Sequence, residues 1–137
     1  MWVLFALLSA GFAAAVAVFG KIGLTQVDST LATSVRAVVM AAFLVTTSLL
    51  LGKSQLLSTI NNKALLYITL SGIAGALSWL CYFYALKIGP TSGVAALDKL
   101  SIVFVLILAI LFLGEKFTLT HGLGAVLLAA GAVLMAM

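Results

Sequence analysis

Long apolar runs separated by short polar punctuation fill the whole chain. The first run extends from Trp2 to about Leu24 and stops at Thr25-Gln26-Val27-Asp28-Ser29-Thr30. The others lie at about 31–51, 64–86, 91–113 and 119–137. A hydrocarbon layer roughly 30 Å thick takes about 20 helical residues to cross, at 1.5 Å per residue. The pattern therefore predicts an all-α integral membrane protein with about five transmembrane helices. Gly89-Pro90 is the firmest boundary, because proline lacks an amide hydrogen and disfavours helix in the residue before it. Lys53–Lys63 is the longest polar stretch, and Gly114-Glu115-Lys116 the last turn. Open strands are excluded, since lipid leaves their unpaired backbone groups unsatisfied.

Composition sharpens this reading. Of 137 residues, 65% are hydrophobic and 7% charged, where a soluble domain carries about 25% charged residues. So little charge cannot cover a water-facing surface, and the chain reads as one membrane domain, 1–137, with the bilayer as its first partner. The charge is slightly basic, but Lys and Arg lie far apart, and the clustered basic face that grips nucleic acid is missing. Cys81 and His121 are each the only residue of their kind, which excludes an intrachain disulfide and a Cys/His metal set. No charged side chain precedes the first apolar run, so that helix is expected to be retained, not cleaved as a signal peptide. No catalytic constellation is visible; an enzyme is not expected, and no cofactor is called for.

Close helix packing in lipid depends on small residues. The expected seams are Ala6, Ala10, Ala14 and Ala17 in the first span, and Gly124, Ala125, Ala129, Ala132 and Ala136 in the last. The third span carries a small-polar stripe, Ser71, Gly75, Ser78 and Tyr82, with Trp79 and Tyr84 adding polar tips.

Four charges fall within or close to the spans: Lys21, Arg36, Asp98 and Lys99. An isolated charge at mid-span costs about 2.5–3.5 kcal/mol on insertion scales, so such residues line water, pair, or serve a site. Neighbours on a helix point about 100° apart, making Asp98 and Lys99 poor partners. Asp98 is expected to meet a cation of another helix, Arg36 or Lys21, either as a responsive group in a polar cavity or as a pair fixing helix register. Arg36 is an interface anchor or an anion or substrate contact, and Lys21 and Lys99 have stems long enough to snorkel. Lys53, Lys63, Lys87 and Lys116 are turn charges, and Glu115 and His121 are expected to cap or be solvated. Lys53, Lys63 and Lys116 share the N-terminal side against Lys21 and Lys87 on the other, a weak bias toward an N-terminus inside.

The stretch Tyr82-Phe83-Tyr84-Ala85-Leu86-Lys87-Ile88-Gly89-Pro90-Thr91-Ser92-Gly93-Val94-Ala95 resembles the EamA domain of the drug/metabolite transporter superfamily. So do its continuation through Leu113-Gly114-Glu115-Lys116, the segment Phe19-Gly20-Lys21-Ile22-Gly23-Leu24, and Arg36. The resemblance covers essentially the whole chain and fits the single-domain, five-span members. There are departures: many two-domain members carry a proline in helix 4 where this chain has Asp98-Lys99-Leu100-Ser101, and helix 1 lacks the acid that small multidrug exporters use for proton exchange.

The resemblance implies a small-solute transporter of a prokaryotic cell (inner) membrane, working by alternating access around a central cavity. Its substrate would be a small organic metabolite or drug-like molecule. Asp98 would be the coupling or gating carboxylate, Arg36, Lys99 and Lys21 would shape the cavity field, and Trp79 and Tyr82 would form an aromatic wall. Transporters often place substrate between two related repeats. With an odd span count, two copies could reproduce that arrangement as a homodimer, possibly antiparallel. The alternatives from other classes are a non-transporting membrane subunit of a larger complex and a module that handles a polar lipid headgroup.

Overall fold

The computed structural model describes residues 1–137, and its regular elements are all helical. They are α1 (Trp2–Gly23), α2 (Ser29–Leu50), a 3-10 turn (Lys53–Thr59), α3 (Asn62–Ile88), α4 (Thr91–Asp98), α5 (Ser101–Leu108), a π-helical turn (Ala109–Leu113) and α6 (Leu119–Ala136). Five segments are long and apolar enough to cross a membrane: α1, α2, α3, the composite Thr91–Leu113, and α6. At most 6% of any one of these windows is buried within the chain. Most large apolar side chains are thus left for lipid or another protein, as expected where the solvent is hydrocarbon.

The helix ends follow local chemistry. Asp28 caps α2: its Oδ1 accepts from the Thr30 and Leu31 amides at 2.9 and 3.1 Å, satisfying donors that a helix start leaves orphaned. Asn61 does the same for α3, its Oδ1 accepting from the Ala64 amide at 2.7 Å. Thr118 caps α6 by accepting from the His121 amide at 3.3 Å, and Glu115 and His121, expected to cap or be solvated, are both exposed. Gly52 and Gly114 end their helices with φ near +65° and +68°, a conformation that side chains with a Cβ resist.

The contacts group the chain into two compact units, Met1–Ile22 with Ile88–Met137, and Gly23–Lys87. In the first unit, α4 packs on α6. A Cβ added to Gly93 would lie 3.3 Å from the Ala136 Cα and 3.2 Å from the Pro90 Cγ, so glycine is what permits this approach. Gly93, Ala96 and Ala132 are buried there. The seam in α6 runs through Gly122, Ala125, Ala129, Ala132 and Ala136, all at least half-buried. Gly124, expected in that seam, is exposed with nothing near it, because the face is set by the α4 contact. Of the α1 seam only Ala17 is buried, and residues 1–14 are exposed throughout. In α3, Ser71 and Ser78 are exposed, while Gly75, Trp79, Tyr82, Phe83 and Leu86 form the covered face.

The fourth segment differs most from expectation. Continuous apolarity predicts one helix over 91–113, but its α-helical bonding is interrupted at Lys99-Leu100. There the bonds tighten to three-residue steps: Lys99 N–H to the Ala96 carbonyl, Leu100 to Leu97, Ile102 to Lys99 and Val103 to Leu100. Its far end loosens into the π turn, where the Glu115 amide reaches back to the Ala109 carbonyl at 3.2 Å.

Candidate functional site

In the Gly23–Lys87 unit the chemistry gathers around Arg36. This residue lies about 10 Å along α2 from Ser29, at 1.5 Å per residue. Its guanidinium carbon sits 3.6 Å from the Trp79 ring centroid and 5.3 Å from that of Phe83. Trp79 in turn meets Tyr82 edge-on at 5.6 Å, tilts against Phe83 at 5.7 Å, and Tyr82 meets Phe83 at 6.0 Å. Residues 79, 82 and 83 share one helical face, so three rings and the cation form a single cluster. Phe83 is buried. The sequence reading marked Trp79 and Tyr82 but missed Phe83, whose signal was its position one turn beyond Trp79.

The cluster stabilises Arg36 only in part. A cation over an aromatic face contributes about 0.5–2 kcal/mol and satisfies none of the guanidinium's N–H donors, which call for water or an anion. Asp28, the one acid of this unit, is engaged at the α2 cap. The Leu31 amide foremost, with help from the Thr30 amide and the Lys87 charge, holds the Asp28 carboxyl below the usual carboxylate range despite opposing desolvation. Lys87, read from sequence as a turn charge without chemistry, donates to the Val27 carbonyl at 3.2 Å and ties the end of α3 to the α1–α2 connection.

In the other unit, Asp98 ends α4 and Lys99 opens the interruption of the fourth segment. The interruption lies about 10 Å from Thr91 and within about 6 Å of the middle of that segment. Asp98 forms an ion pair with Lys99 itself, Nζ to Oδ2 at 3.5 Å. This corrects the expectation that the neighbours avoid one another: the lysine stem is flexible enough to fold back across the angle between them. Both side chains are substantially exposed, 38% for Asp98 and 52% for Lys99. Lys21 donates to the Gly89 carbonyl at 2.8 Å, partly buried, so the end of α1 is fastened to the residue just before Pro90.

Five apolar helical spans make the chain a multi-pass membrane protein, and comparison with known proteins names its family. The model of the EamA-like transporter family matches residues 1–137. The chain belongs to the EamA-like transporter family. It is also 48% identical, over 98% of its own length and 96% of the relative's, to a Sinorhizobium sp. protein described as "Uncharacterized transporter in cobO 3'region". No solved structure gives a significant match. Membership makes the chain a multi-pass membrane transporter. In this EamA chain the α-helical bonding of the fourth span gives way to three-residue hydrogen bonding at Lys99-Leu100.

Proposed function

We propose that the protein is a secondary transporter of a small organic metabolite or drug-like solute, working by alternating access as a homodimer in a prokaryotic cell (inner) membrane. The observation that carries this reading is the exposed Asp98–Lys99 pair where the hydrogen bonding of the fourth segment tightens. Two opposite charges near mid-bilayer cancel when paired and separate when a proton or a solute engages one of them. Asp98 is the coupling or gating carboxylate. Lys99 is its counter-charge, Lys21 a basic residue near the helix ends, and Arg36 with Trp79 and Tyr82 a solute-facing group. A homodimer is supported by the large apolar surface each span leaves uncovered and by the use of paired repeats in transporters. The odd number of spans favours an antiparallel pair. The Sinorhizobium origin of the relative supports the prokaryotic membrane.

Purified chain in liposomes tests the reading. Saturable, gradient-driven solute flux from the purified chain alone is the expected result. Absence of flux, together with stable capture of one other membrane protein, would place the chain among non-transporting subunits. Inhibition by added lipid headgroup alone would point to a headgroup carrier.

A further inference from the structure

We propose that Arg36 is the recognition point for an oxyanion, so that the transported solute is an organic anion carrying a carboxylate, phosphate or sulfonate. This rests on the transport reading above and names its substrate class.

Four observations converge. The guanidinium touches Trp79 through its carbon at 3.6 Å, a contact that uses none of its five N–H donors. Within the chain Arg36 makes ring contacts but no hydrogen bond or ion pair. The donors therefore stay available in the planar fork that matches a carboxylate or phosphate two bonds at a time. The only carboxylate of its unit, Asp28, is held at the α2 cap by two backbone amides, leaving the fork without a resident partner. The cradle is also fixed in place, since Trp79 is braced by Tyr82 and by buried Phe83, and a preorganised fork binds without first paying ordering entropy.

The plain alternative is an arginine reaching for headgroups. A snorkelling side chain carries its head outward to the interface. Here the head lies on Trp79, about 13 Å of helix before the end of α3 at Ile88, and not out beyond the span. Both a soluble solute and a lipid phosphate present oxyanions, so the shared chemistry is the claim and the test separates the sources.

Trp2 and Trp79 are the only tryptophans, so Trp2→Phe makes Trp79 a sole fluorescent reporter beside the site. The full chain with that change, purified into phosphatidylcholine nanodiscs, is titrated with benzoate, phenyl phosphate and benzylammonium. The expected result is a saturable Trp79 response to benzoate or phenyl phosphate and none to benzylammonium. Arg36→Lys, which keeps the charge but not the fork, weakens binding about tenfold or more, and Arg36→Met removes it. Lys63→Met, in the first turn of α3 and far along that helix from Trp79, changes nothing. A response that follows replacement by phosphatidylglycerol, but no soluble anion, assigns the oxyanion to a headgroup and overturns the solute assignment. Equal binding of benzylammonium, no response to any probe, or benzoate binding retained by well-folded Arg36→Lys and Arg36→Met overturns the proposal. Saturable cation flux without anion flux in liposomes leaves the transport reading standing and sinks this one; anion binding without flux does the reverse.

Discussion

The two units solve the same problem, charge inside an apolar span, in opposite ways. Around Arg36 the protein lays a cation against two aromatic rings, Trp79 and Phe83, with Tyr82 packed on both, and the one acid of that unit is held at the α2 cap. In the fourth segment it sets an acid and a base side by side, exposes both, and interrupts the helix where they stand. The first arrangement is a cation laid on aromatic faces, a contact that leaves its N–H donors unused within the chain. The second is electrically neutral when paired. The packing differs in the same sense: large rings brace Arg36, whereas α4 meets α6 through Gly93, Ala96, Ala132 and Ala136. A rigid aromatic cradle suits recognition, and a small-residue seam beside a loosened helix suits movement.

Breaking the small-residue seam has the largest expected effect on stability. Gly93→Val pushes a branched side chain toward the Ala136 backbone, already 3.3 Å from a bare Cβ. Overpacking of this kind costs about 1–3 kcal/mol, read as a lowered unfolding midpoint in detergent. Gly124→Ala, with open space around it, is expected to be neutral or to stabilise by up to about 1 kcal/mol through helix propensity. Equal losses at both positions would mean that the seam is misplaced.

On the aromatic side the effect is smaller. Trp79→Leu removes the face beneath the guanidinium, a loss of about 0.5–2 kcal/mol, while Trp79→Phe keeps most of it. The same unfolding measurement ranks the two, and identical midpoints would deny that the stacking matters.

The five spans and most of the charged candidates were legible because hydropathy over about 20 residues is a strong signal. What stayed hidden is what depends on neighbours. Hydropathy continues without a dip across Ile102–Leu113, so neither the π turn nor the tightened bonds at Lys99-Leu100 left a trace beyond the two charges. Gly122 and Gly124 look alike in sequence, and only the fold shows that the Phe117 ring covers the first while the second stands open. Arg36, Trp79 and Tyr82 were all marked, but their meeting depends on how α2 lies against α3, which no local pattern encodes. Asp98 and Lys99 were set apart by ideal helix geometry, which overlooks how far a lysine stem can bend.

The smallest effect concerns the α2 cap. The folded-state pKa of Asp28 is depressed, so its stabilising contribution is complete above the unfolded value of about 3.9 and is lost as pH falls through the folded one. Protection factors of the Thr30 and Leu31 amides should hold steady from neutral pH to about 5 and decline below about 4. Asp28→Asn, which still caps, should remove that decline. A decline that persists in Asp28→Asn would assign it elsewhere.

Proton-gradient-driven uptake into proteoliposomes, compared between wild type and Asp98→Asn, most directly tests whether the broken fourth span couples energy to transport. The expected outcome is that Asp98→Asn still equilibrates solute down its gradient but no longer accumulates it, and that its rate loses pH dependence. Unchanged accumulation with an unchanged pH profile would contradict a coupling role for Asp98.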